Sequence, residues 1–142
     1  MFGTYTTLDE FLNTHSLTEI KNLVKICRDI CEEGAPKDIS HNFNHHKQVV
    51  INIKTQFPEY KTDKLVLFAI AGAWLHDLVD NKYSHLIKTN QENIINTLQS
   101  LGKHLIKICT QASYSNRHTV KHELDTTEKQ VLYIIEQADW IE

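Results

Sequence analysis

The chain has 142 residues, with 15 Lys and Arg against 18 Asp and Glu and a formal net charge of −3. That length supports one core, burying about two-thirds of the surface the unfolded chain exposes. The slight acidity excludes a polycationic face able to grip a long nucleic acid by counterion release.

A small phosphorylated molecule stays compatible with this charge, because a bound metal and local cations can neutralise it. With 41% hydrophobic and 23% charged residues, and only 4 Gly and 2 Pro, the composition is that of a water-soluble, mainly helical domain. No window is apolar for long enough to span a membrane, and the N-terminal MFGTYTTLDEFL lacks the basic and apolar regions of a secretion signal. The expectation is a soluble, cytoplasmic protein with no membrane partner.

Caps and breakers divide the chain, since there is no repeat or low-complexity stretch. The first eight residues carry no assignment. Ser16-Leu-Thr-Glu19 has the form of a capping box, and Ile20, Leu23, Val24, Cys27, Ile30 and Cys31 repeat at helical spacing after it. Gly34 and Pro36 end that helix.

A loop over 33–40 leads to a second helix from about Asn42 to Thr55, which stops before Pro58. A third begins near Thr62 and runs through KLVLFAIAGAWLHDLVD, apolar almost all round, and so is the central buried helix. Two shorter helices follow, about Gln91 to Ser100 and Lys103 to Ala112, and Asp125-Thr-Thr-Glu128 caps a final one. No strand pattern occurs. The fold class is all-α, a single compact domain of about five to seven helices spanning residues 1–142. Cys27, Cys31 and Cys109 read as reduced core thiols, because no second cysteine pair completes a zinc set.

His76 and Asp77 directly follow the apolar run ending at Leu75, in what must be core, where unsatisfied polar groups are costly. Asp80, one turn later, can share their pocket, and Gly72 and Ala73 are small enough to admit another helix. On the second helix His45 falls on the line of Val49 and Ile53, while His46, on the line of Val50 and Ile53, competes for the inner position. On the last helix Asp139 follows Leu132 by seven residues and Ile135 by four, so it points inward with them. Two imidazoles and two carboxylates brought together by three helices make a mixed nitrogen and oxygen site, suited to Mn, Mg, Fe, Co, Ni or Zn.

These residues resemble the HD-domain superfamily, whose pattern is a histidine, a His-Asp pair and a later aspartate, all on helices. DISHNFNHHKQVV is similar to its first-histidine segment, AGAWLHDLVDNKY to its His-Asp helix and QADWIE to its final aspartate segment. The resemblance covers most of the chain from about Asp38 onward. It implies the HD-domain fold and metal ligands His45, His76, Asp77 and Asp139, holding one divalent ion with Mn favoured. His41 becomes a substrate-side residue. Closest in pattern are the small bacterial nucleotide pyrophosphohydrolases of the superfamily.

Such proteins are mostly metal-dependent phosphohydrolases, so the resemblance implies hydrolysis of a phosphate ester or anhydride in a nucleotide. Asp80 is placed to orient or deprotonate the attacking water and Lys82 to meet charge growing on the phosphoryl oxygens. Lys47 and Arg117 are further candidates for phosphate contact. The Asp80 and Lys82 pattern favours nucleoside triphosphates cut to monophosphate and pyrophosphate. Alarmone hydrolases usually carry Glu-Asp where this chain has Asp80 and Asn81.

Two other classes compete. One is a regulatory module that binds metal and nucleotide without turnover. The other, ranked last, is an iron oxygenase, which needs further histidines; His85, His104, His118 and His122 are available, none in a clearly inward context. Related proteins continue past the final aspartate, so the chain is expected to be either a minimal domain or one completed by a second protomer in a homodimer.

Overall fold

A computed structural model describes residues 7–34, 43–76, 104–105, 108–109 and 124–141. Among the described residues all regular structure is helical: α1 (Leu8–Thr14), α2 (Leu17–Gly34), α3 (Phe43–Gln56), α4 (Lys64–Leu75) and α5 (Thr126–Ile141), with a 3-10 turn at Tyr60–Thr62 and helical residues at 104–105 and 108–109. No described helix is long and apolar enough to cross a membrane. The expected helix near Gln91 to Ser100 lies outside the described residues.

Local signals in the sequence account for most boundaries. Ser16 Oγ accepts from the Glu19 N–H at 3.1 Å while Glu19 accepts from the Ser16 N–H at 2.8 Å, the reciprocal cap read from the sequence. The Ser16 N–H is the main influence holding the Glu19 carboxyl below its ordinary value. Asp125 and Glu128 repeat the arrangement at the start of α5, at 2.7 and 2.9 Å. Asp63 caps α4 by accepting from the N–H groups of Leu65 and Val66.

Helix α1 was not anticipated. Thr7 caps it by accepting from the Glu10 N–H, and Leu8, Phe11 and Leu12 turn one face into the core. The pattern is visible in the sequence once Thr7 is taken as the cap. Asp125 ties this helix down, because its second carboxylate oxygen accepts from the Leu8 N–H at 2.9 Å across the fold.

Helix α4 is central. Every residue from Val66 to Leu75 is buried, and the helix packs against α2, α3 and α5. An apolar surface on all sides is stable only where other helices cover all sides. From α2, Ile20, Leu23, Cys27 and Cys31 enter the same core, with Cys109 alongside them; all three cysteines are buried as thiols, and Cys27 is pushed up by burial and by the two neighbouring sulfurs.

Gly72 is a point where α4 and α5 approach closely. A Cβ built there would lie 2.7 Å from Ile135 Cδ1 and 3.5 Å from Leu105 Cδ2. The small residue expected to admit a neighbouring helix therefore does so, and it brings the end of α5 toward the end of α4.

Candidate metal centre

Three helices contribute the site: α3 through His45, the C-terminus of α4 through His76, and the last turn of α5 through Asp139. His45 Nε2 lies 3.0 Å and His76 Nε2 3.6 Å from the same carboxylate oxygen, Asp139 Oδ1. All three potential ligand atoms lie within 4.8 Å of one another. Side-chain exposure rises from 3% at His76 through 13% at His45 to 35% at Asp139. The group therefore grades from a buried imidazole to a partly exposed carboxylate.

The end of α4 explains why His76 faces this way. The carbonyls at the end of a helix lack partners within it, and among the described residues side chains meet two of those in the last turn of α4. Cys109 Sγ donates to Gly72 O at 3.5 Å. The Nδ1 atoms of His76 and His46 both donate to Ala73 O, at 2.8 and 3.0 Å, using its two lone pairs.

A carbonyl can only accept, so Nδ1 of His76 carries the proton. In neutral imidazole, Nε2 then presents its lone pair toward Asp139, whose oxygen also presents electron pairs. Such a meeting is stable only with positive charge between the atoms, from a proton or a metal ion. This donor set fits a divalent ion: two imidazole nitrogens and a carboxylate, with one histidine fixed from behind by a backbone carbonyl, as ligating histidines usually are.

Burial raises the Asp139 carboxyl, but hydrogen bonds from His45 and His76, together with their charge, outweigh it and hold the group well below the usual carboxylate range. Asp139 is thus ionised at neutral pH and available as a ligand.

His46 is the more deeply buried of the adjacent pair on α3, with no exposure at all, whereas His45 sits at the rim. Burial alone would favour His46 as the inner residue. The direction of Asp139 on α5 selects His45. His46 stands behind, its ring centroid 4.9 Å from that of His76 and 5.6 Å from that of His45.

Of the other residues singled out from the sequence, Lys47 is exposed on α3. Asp77, the fourth expected ligand, lies outside the described residues, as do Asp80, Lys82, His41 and Arg117, and also His85, His118 and His122.

His104 corrects the sequence reading, which found no inward context for it. It is buried, and its Nδ1 lies 2.5 Å from Glu128 Oε2, with Glu128 itself wholly buried. His104, Asp125 and Glu128 form a second cluster of potential ligand atoms, but their bonds serve the caps of α5 and α1. A lone histidine between two apolar segments gives no sign of a partner 24 residues away.

Family models, curated proteins and solved structures were all compared with this chain, and none matched.

Proposed function

We propose that the chain is a metal-dependent phosphohydrolase that acts on a small phosphorylated substrate, with a nucleoside triphosphate cut to monophosphate and pyrophosphate as the favoured reaction. The observation that carries this reading is the convergence of His45 Nε2, His76 Nε2 and Asp139 Oδ1, all within 4.8 Å of one another. The HD-type order of residues in the sequence adds Asp77 as fourth ligand and selects phosphate chemistry among the reactions such a site can support.

A divalent ion held there would lower the pKa of a bound water and polarise a phosphoryl oxygen. His76, with its proton committed to Ala73 O, offers nitrogen as a ligand and does not serve as an acid at that atom. Asp139, ionised and partly exposed, supplies negative charge at the rim, where substrate would enter. In this reading Asp80 orients or deprotonates the attacking water and Lys82 balances charge on the transferred group. His41, Lys47 and Arg117 are the further contacts proposed for the substrate.

The test is release of phosphate and pyrophosphate from a panel of nucleotides, with Mn, Mg, Co or no metal, for the native chain and for Asp77→Ala. Metal-dependent turnover that vanishes in the variant supports the reading. A folded, metal-loaded protein with no turnover would instead be a binding module.

A further inference from the structure

We infer that Asn52 is a positioning residue that sets the last turn of α5, and with it Asp139, against the two histidines. The inference rests on the metal-centre reading above. Asn52 lies seven residues after His45, two turns along the same face of α3. Its Nδ2 donates to Ala138 O at 3.0 Å, a contact between residues 86 apart in the chain.

Ala138 lies in the last turn of α5, directly before Asp139. Its carbonyl belongs to the peptide group that joins Ala138 to Asp139. Fixing that carbonyl fixes the plane from which Asp139 departs. The amide is itself oriented from below: Gln48 Nε2 donates to Asn52 Oδ1 at 3.1 Å, which leaves Nδ2 as the group facing α5.

Near the end of α5, helix α3 therefore makes polar contact through His45 on the carboxylate and through Asn52 on the backbone one residue earlier. The two contacts differ in kind. The bond from His45 competes with any ion that enters, because both use Asp139 Oδ1 and His45 Nε2. The bond from Asn52 uses neither, so it persists whether or not metal is bound and keeps the carboxylate within reach of both imidazoles. Partners that orient ligands in this way typically change metal affinity by about 10- to 100-fold when removed.

The experiment is a Mn2+ titration of the chelator-treated full chain, followed by the electron paramagnetic resonance signal of free Mn2+, for the native protein, Asn52→Leu and Asn52→Asp. The Asp variant is nearly isosteric but has no proton to donate to Ala138 O. Circular dichroism of the metal-free proteins is recorded in parallel, and Co2+ absorption spectra report the ligand geometry.

The expected result is a dissociation constant raised about 10- to 100-fold in both variants, an altered Co2+ spectrum and little change in the metal-free melting curve. Unchanged affinity in a folded variant would overturn the inference, as would a loss of affinity wholly accounted for by a smaller folded fraction. If Asn52→Leu does not fold, the Asp variant decides. Native protein that takes up neither Mn2+ nor Co2+ would refute the metal centre itself, an outcome distinct from native binding that the Asn52 variants share.

Discussion

Replacing Glu128 with alanine should destabilise the whole domain while leaving the proposed metal centre intact. Glu128 has no exposed surface, and the donors it meets include the Asp125 N–H at 2.9 Å and His104 Nδ1 at 2.5 Å. Each donor left unmet inside the fold costs about 1–3 kcal/mol.

Asp125 N–H is only part-buried, which argues for the lower part of that range, and the lost side-chain stem adds a small cavity. With the buried His104 donor in the upper part of that range, a total of about 3–5 kcal/mol follows, a large fraction of the roughly 5–15 kcal/mol that holds a domain together. For a chain of this size the melting temperature would fall by roughly 10–15 °C. Glu128→Gln, which keeps an oxygen for the Asp125 N–H, should lose less than half as much.

Urea unfolding followed by circular dichroism measures the first quantity. The second check is Mn2+ affinity below the unfolding transition. Residues 128 and 139 are eleven positions apart on α5, about 16 Å along the helix, so the two sites should behave independently. A destabilisation under about 1 kcal/mol, or a loss of Mn2+ affinity in the folded variant, would show that the buried pair does not play the part assigned to it.

Asp139→Asn removes the shared oxygen ligand's charge, and Mn2+ affinity should fall by more than the roughly 100-fold expected at a supporting position; a titration of free Mn2+ checks this. Gly72→Val forces side-chain atoms into a space where a Cβ already lies 2.7 Å from Ile135 Cδ1, costing about 1–3 kcal/mol. Pairing it with Ile135→Ala in a double-mutant cycle should show a favourable coupling. Ser16→Ala should cost about 1 kcal/mol by chemical denaturation, as removal of a helix cap does. Glu19 has a carboxyl lowered from 4.5 in the fold, so its contribution is present above that value and fades as pH falls below it. A stability difference between native protein and Glu19→Gln at about pH 7 should therefore shrink at about pH 3.

The elements whose limits are local were legible in advance. Ser16 with Glu19, and Asp125 with Glu128, form the reciprocal caps that their spacing implies. The apolar run before His76 is the buried central helix for the reason that an all-round apolar surface demands cover on every side. Helix α1 was overlooked although Thr7 and the Leu8, Phe11 and Leu12 spacing announce it.

The candidate site divides in the same way. Periodicity alone placed His45, His46, His76 and Asp139 on core-facing lines of three helices, because which face of a helix is apolar depends only on residues three and four apart. It could not decide between His45 and His46. That choice depends on where α5 ends relative to α3, which is set by the close approach at Gly72 and by the grip of Asn52 on Ala138 O. Nor could spacing pair His104 with Glu128, or send two imidazoles to the single carbonyl of Ala73. Residue types and helical faces follow from the order of the chain; distances between groups on different helices depend on how those helices pack, and only the tertiary structure determines that.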